Sequence, residues 1–276
     1  MKTIIVTSDF SSSAHNALAY SCAFLNEREN EAELILLNIY TIPAMYTSDG
    51  VAVTTISGAL SDAEDRLQEE YEWVKGNYPA IRINTRAILG GFLESLKSQV
   101  EILAPVLVIM GTSGKYDNMW SWNTEILNVF RDLTVPVLTI PEHLSYTQVR
   151  NIAFACNFTN INLHTPVESL KKIIRFTGAT LHVIYVKSNA QTRENITPLK
   201  QEATVHELLK ELAPLYHTLQ ENDVVEAIGH FVKAQSIDLL LVVPRRVGIW
   251  ESIFHKSHTK ALARFNSTPV LALRER

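Results

Sequence analysis

One arrangement occurs twice in this chain. Val106 to Pro141 (VLVIMGTSGKYDNMWSWNTEILNVFRDLTVPVLTIP) reads as an apolar strand, a polar loop, a short helix and a second apolar strand. The same order returns from Leu239-Leu-Leu-Val-Val243 to Pro269-Val-Leu-Ala-Leu273, with Val243 lying 133 residues after Met110 and Pro269 lying 133 residues after Pro136. Equal spacing at both ends leaves no gap between the copies, so the chain is an internal duplication. A second offset marks the start of each half: Ile152 lies 148 residues after Ile4, which pairs Ser8-Asp9-Phe10 with Cys156-Asn157-Phe158. At 276 residues the repeat predicts two domains, 1–145 and 146–276, each long enough to bury its own core.

Strands and helices alternate along the first half. Thr3 to Thr7 is a short apolar strand, and Ser11-Ser-Ser caps a helix whose stripe is Ala14, Ala17, Leu18, Cys22 and Leu25. Ala32 to Tyr40 is a second strand. Residues 41–60 hold Pro43 and Gly50 without helical periodicity and predict a long excursion over the strand ends, a candidate lid. Ser61-x-x-Glu64 has the capping-box pattern and predicts a charged helix from there to about Gly76. Arg82 to Ile88 follows as a strand, and Gly90-Gly91 precedes a helix carrying Leu93, Leu96, Val100 and Leu103. This β-α repetition implies a parallel sheet with helices on both faces and right-handed crossovers. The second half repeats it, with helices over His164–Thr177, Leu199–Leu212, Asp223–Ala234 and Lys256–Phe265 and a third strand at Leu215–Leu219. Leu144 to Thr147 is the one linker, too short for much independent motion.

The loop after Met110 has anion-binding chemistry. Gly111 and Gly114 let the backbone turn sharply and approach a ligand, and a helix capped by Asn123 or Thr124 would aim unpaired N–H groups at one point. An ordinary strand-to-helix turn accounts for a G-x-x-G equally well.

Composition narrows the class. With 46% hydrophobic and 20% charged residues the chain reads as a soluble globular protein, and no apolar run has bilayer-spanning length. The first residues, MKTIIVTSDFSSS, lack the apolar core of a signal peptide, which predicts a cytoplasmic protein. Residues 1–145 carry 9 basic against 18 acidic side chains and residues 146–276 carry 16 against 11. Opposite signs favour packing of the halves on each other, with unrelated solvated faces as the alternative; neither suggests a nucleic-acid binder. Cys22 and Cys156 match no disulfide framework or metal-ligand spacing and read as buried or loop thiols.

The strand ending Thr7-Ser-Asp-Phe-Ser11 before an Ala-rich helix, the strand ending LLNIY, and M-G-x-x-G…N-T-E…V-P-V-L-T-I-P together resemble the universal stress protein family (UspA) in its tandem two-domain form. The resemblance covers nearly the whole chain. It implies, for each half, a five-stranded parallel sheet of order 3-2-1-4-5, the adenine nucleotide alpha hydrolase-like architecture. It also implies ATP or another adenine nucleotide, with Mg2+, in the first domain: Thr7, Ser8, Asp9 and Ile39 by the nucleoside, and Gly111, Gly114, Asn123 and Thr124 by the phosphates. The chain departs from the family pattern where six residues separate Gly114 from Ser121 in place of nine, and where Ser121-Trp122 stands for Gly-Ser. Trp120 and Trp122 would then fill part of the cradle. In the second half Pro244 and Val247 replace the glycine pair and Asn157 replaces Asp9, so no nucleotide is expected there in the family's manner.

His255 and His258 lack a third ligand nearby in sequence, which favours a structural or solvent-facing role over a metal site. Arg245 and Arg246, with Lys256 and Lys260, read as a solvated basic edge more readily than as an anion site. Ser11, Ser12 and Ser13 read as caps, because the chain has no G-x-S-x-G elbow. The expected function is a regulatory or protective binding protein of the stress response with no catalytic residues and no metal of its own. The alternatives are a slow ATP hydrolase using Asp9 and Asp117, or a protein that binds no nucleotide and acts through protein partners. The family's edge-to-edge dimer implies that Val135–Ile140 and Thr268–Leu273 meet as an intrachain pseudo-dimer.

Overall fold

The computed structural model describes residues 2–27, 32–42, 56–113, 122–155, 166–187, 205–220, 224–243 and 267–274. Met1–Ser113 with Leu133–Tyr146 form one compact unit, and Gly114–Asp132 with Thr147–Arg276 form the other.

The first unit begins with β1 (Lys2–Thr7), whose last four residues are all buried. Burial at consecutive positions means that both faces of the strand are covered, as parallel sheets require. Ser11 then starts α1 (Ser12–Asn26): its Oγ accepts from the N–H of Ala14 at 3.2 Å, satisfying one orphan donor of the first turn. The five strands β1, β2 (Ala32–Tyr40), β3 (Arg82–Leu89), β4 (Leu107–Thr112) and β5 (Val137–Pro141) run in the order β3-β2-β1-β4-β5. All neighbouring pairs are parallel, with Thr7 opposite Leu37 and Val6 opposite Ile109. α2 (Ile56–Asn77) lies against β2 and β3, α3 (Phe92–Leu103) against β2, and α1 against β4 and β5. Val6, Leu18, Cys22, Leu34, Leu36, Leu67, Ile81, Ile109 and Ile140 share one core. Truncating any of the large ones to alanine costs about 2–5 kcal/mol.

Three sequence expectations shift here. α2 opens at Ile56, so Ser61 and Glu64 lie inside the helix and the capping-box pattern marks no helix start. Ile56-Ser-Gly-Ala-Leu60 is helical although it carries no start signal; the remainder of the candidate lid, residues 43–55, falls outside the described residues. β4 runs on through Gly111 to Thr112, with Gly111 opposite Ile140, so Gly111 is a strand residue and opens no turn. Leu144 and Tyr146, read as linker, pack on the first unit's core. Asn16 Nδ2 donates to the carbonyls of Pro141 and Leu144 at 2.8 and 3.0 Å, and the Tyr146 ring meets Tyr20 and Phe24 edge-on.

In the second unit β6 (Asn151–Ala155), β7 (Thr180–Lys187), β8 (Leu215–Gln220), β9 (Leu239–Val242) and β10 (Val270–Ala272) are ordered β10-β9-β6-β7-β8, again all parallel. Read from the other edge, this is the first unit's order once more. The unit also holds α4 (Trp122–Asp132), α5 (Val167–Thr177), a helical stretch over 205–209 that tightens into a 3-10 turn at Lys210–Leu212, and α6 (Val224–Ala234). α5 is shorter than expected, because Pro166 occupies its N-cap; Gly178 ends it in the left-handed region at φ 68°. The expected last helix, Lys256–Phe265, lies outside the described residues.

Candidate functional site

In a sheet of order 3-2-1-4-5 the chain reverses direction between β1 and β4, and the crevice outside the carboxyl ends of those strands is where open α/β sheets take ligands. β1 delivers the segment Ser8 to Ser11 to that place. Ser8 is buried, its N–H donates to the Leu37 carbonyl at 2.9 Å, and its Oγ accepts from the Phe10 N–H at 3.0 Å. Phe10 sits at φ 63°, a left-handed conformation that costs a side-chain-bearing residue about 1–2 kcal/mol. The surroundings hold it there. The Arg66 guanidinium from α2 lies 4.2 Å from the centre of the Phe10 ring, and its Nη2 donates to the Phe10 carbonyl at 3.4 Å. Strain of this kind gathers at binding and catalytic loops.

The bend presents Asp9 to solvent. Its Oδ1 accepts from the Ser11 N–H at 3.0 Å and the Ser11 Oγ at 2.6 Å, which fixes the carboxylate and leaves its other lone pairs outward. Beside it, Asn38 near the end of β2 is 4% exposed; its Nδ2 donates to the Ser8 carbonyl at 2.8 Å, and its Oδ1 is a buried acceptor with no partner. Ile39, the next residue, is half-buried. The fixed exposed carboxylate of Asp9 suits a group that offers hydroxyl or N–H donors, while Asn38 and Ile39, consecutive in β2, project to opposite faces of the sheet. Thr7 is placed differently. It is buried, and its Oγ1 reaches the Ile109 carbonyl of β4 at 3.5 Å.

Gly111 has a reason of its own. A Cβ built on it would stand 2.2 Å from the Ser13 carbonyl oxygen, 2.3 Å from the Ser13 carbonyl carbon and 2.7 Å from the Ala14 nitrogen. Glycine is required here because the first turn of α1 presses on β4, and the space that a phosphate cradle would use at this residue is filled by backbone. Gly111 thus offers a phosphate no opening. Gly114 lies outside the described residues, as do Asp117, Trp120 and Ser121. Asn123 and Thr124 fall inside the first turn of α4, which begins at Trp122, so neither is the cap of that helix. By unit, Asp9, Asn38, Ile39 and Gly111 belong to the first, while Gly114, Asn123 and Thr124 belong to the second.

Two features escaped the sequence reading. Asn38 is the polar residue that interrupts the apolar run of ELILLNIY, and a buried strand with one amide at its carboxyl end was the available signal. The Phe10–Arg66 clamp joins residues 56 positions apart and left no local trace. The second unit's counterparts, Asn157, Pro244 and Val247, lie outside the described residues, as do Cys156, Arg245, Arg246, His255 and His258. Among the described residues no group of three or more His, Cys, Asp or Glu side chains is placed to hold a metal ion, and no helix is long and apolar enough to cross a membrane.

The whole chain resembles solved structures. A universal stress protein from Archaeoglobus fulgidus DSM 4304 matches with a TM-score of 0.69 at 16% identity, covering 99% of this chain and 96% of that one. A protein of unknown function from Pseudomonas aeruginosa PAO1 matches at 0.58 and 17% identity (100% and 93% covered), and a candidate universal stress protein from Pseudomonas aeruginosa UCBPP-PA14 at 0.57 and 15% (100% and 94%). No family model matches the sequence, and no curated protein matches it. The likeness is one of fold: the chain has the architecture of the tandem, two-domain universal stress proteins.

Proposed function

We propose that this chain, built on the universal stress protein fold, is a regulatory or protective binding protein without a metabolic reaction of its own, and that its first unit takes an adenine nucleotide. The observation that carries this reading is Asp9, an exposed carboxylate fixed by Ser11 at the end of the central strand. A fixed carboxylate at a strand end suits the hydroxyls of a ribose, and half-buried Ile39 offers an apolar surface for the base. Gly114, expected by the phosphates from the family resemblance, lies outside the described residues.

The reading of binding without turnover rests on Asp9, since Asp117, the other carboxylate considered for hydrolysis, lies outside the described residues. Phosphoryl transfer needs a carboxylate-held metal at the phosphates, and the oriented Asp9 carboxylate is engaged with Ser11 at the nucleoside end. Incubating the purified protein with ATP and magnesium, then measuring retained nucleotide and ADP by mass spectrometry, tests both parts. The reading expects nucleotide retained in stoichiometric amount, lost in Asp9→Ala, and no sustained ADP. Continuous ADP production abolished by Asp9→Ala would replace it with a slow hydrolase.

A further inference from the structure

His182 on β7 and His217 on β8 lie on the same face of the second unit's sheet, and their rings stack at 14° with centroids 5.2 Å apart. His182 Nδ1 and His217 Nε2 are 3.2 Å apart, a hydrogen bond between two imidazoles. Phe231 of α6 closes over both, its ring centre 4.6 Å from that of His217 and 6.1 Å from that of His182. His182 is 5% exposed, and its Nε2 is buried with no partner.

These contacts fix the protonation state. In the neutral pair, His182 donates from Nδ1 to His217 Nε2, and the bare lone pair on His182 Nε2 needs no acceptor. Any added proton spoils this arrangement. On His182 it goes to Nε2, making a buried N–H with nothing to accept it. On His217 it makes Nε2 a donor, so His182 must accept at Nδ1 and carry its own hydrogen on the same buried Nε2. Buried donors without acceptors are strongly disfavoured. Burial pushes both imidazoles below the ordinary 6.5, and at His182 the neighbouring His217 opposes the positive charge as well.

β6 (Asn151–Ala155) carries no charged residue and β8 has His217 and Tyr216 as its titratable side chains, while on α6 Glu226 is half-exposed and His230 and Lys233 are exposed. His206 stacks on Tyr216, the strand neighbour of His217, which projects to the opposite face of β8.

We propose that the His182–His217 pair is an acid-sensitive latch on the second unit: protonation puts a hydrogen without an acceptor on the buried His182 Nε2, and relief of that buried donor releases β8, the outermost strand of that unit's sheet, from β7 and from the cover of α6. The sign follows from linkage. A histidine that the fold keeps neutral contributes stability that is present above 6.5, its value when unfolded, and is lost as pH falls below that value. Each such histidine raises the opened population up to about ten-fold per pH unit. An acid-responsive element would give the half that lost the family's glycine loop a task independent of nucleotide.

Hydrogen exchange of the intact chain, read by mass spectrometry at pH 7.5, 6.5, 5.5 and 4.5 and corrected for intrinsic rates, tests the latch. Protection of the β7 and β8 peptides should fall at least ten-fold between pH 6.5 and 4.5, while that of β1 and β2 changes less than three-fold. The double variant His182→Asn/His217→Gln keeps an uncharged donor–acceptor pair and should flatten the profile. If it is unprotected already at pH 7.5, the single variant His217→Gln, with one titrating ring left, should show a shallower fall than wild type. A flat wild-type profile, an equal loss in β1 and β2, or variant profiles as steep as wild type would overturn the proposal.

Discussion

Gly111→Ala tests whether this glycine serves the fold or a ligand. The new methyl would meet the Ser13 carbonyl oxygen at 2.2 Å, the Ser13 carbonyl carbon at 2.3 Å and the Ala14 nitrogen at 2.7 Å, all main-chain atoms that no rotamer change can move. Restoring ordinary contact requires the first turn of α1 to retreat from β4 by about 1 Å, and overpacking of that kind costs about 1–3 kcal/mol. The upper end applies, because the turn is anchored: Ser12 Oγ donates to Glu142 Oε1 at 2.5 Å, and Asn16 Nδ2 holds the carbonyls of Pro141 and Leu144. A loss of about 3 kcal/mol lowers the melting temperature of a unit this size by about 10 °C, which calorimetry resolves. Gly76→Ala is the control. Nothing lies within 4 Å of its added Cβ and the site is helical, so it should raise stability by up to about 1 kcal/mol. A Gly111→Ala protein that melts with wild type but no longer retains nucleotide would refute the packing account and return the residue to the ligand.

Asn38→Leu leaves the Ser8 carbonyl without its donor and should cost about 1–3 kcal/mol, read as a lower urea midpoint at unchanged slope. Ser11→Ala removes both the α1 cap and the hydroxyl that holds Asp9; about 1 kcal/mol of stability should be lost, together with nucleotide retention if the fixed carboxylate matters. Cys22, its thiol pushed up to about 12 by burial and by the negative charge of Glu70, carries almost no thiolate at pH 8. Peptide mapping after iodoacetamide should find Cys22 unmodified in the native protein and alkylated in urea.

The fold was legible because its signals are local. Apolar runs such as Ile4–Val6 and Leu239–Val243 and the Ser11 cap each specify a few residues without reference to the rest, and equal offsets extended them from one half to the other, while the strand order within each sheet came from the family resemblance. The start of α2 was misplaced because a capping-box pattern can sit inside a helix as well as at its end, and Ser61 does. What stayed hidden depends on distant backbone. Gly111 looked like a loop glycine until the Ser13 carbonyl, from almost a hundred residues earlier, was seen to occupy its side-chain space. The His182–His217 contact had a sequence signal that went unused. Ile184 stands opposite His217 and shares the period-two face of His182, so registering the two strands brings the rings together.

The central claim, that the end of β1 binds the nucleoside of an adenine nucleotide, is tested most directly by isothermal titration of ATP, ADP and AMP into the intact protein and into its Asp9→Ala and Gly114→Val variants. The account predicts saturable heat for all three ligands with wild type, at least ten-fold weaker binding of every one with Asp9→Ala, and a Gly114→Val defect that grows from AMP to ATP as the phosphates lengthen. No heat with wild type, or curves for Asp9→Ala that overlay those of wild type, would contradict it and leave a stress-protein scaffold that works through protein partners.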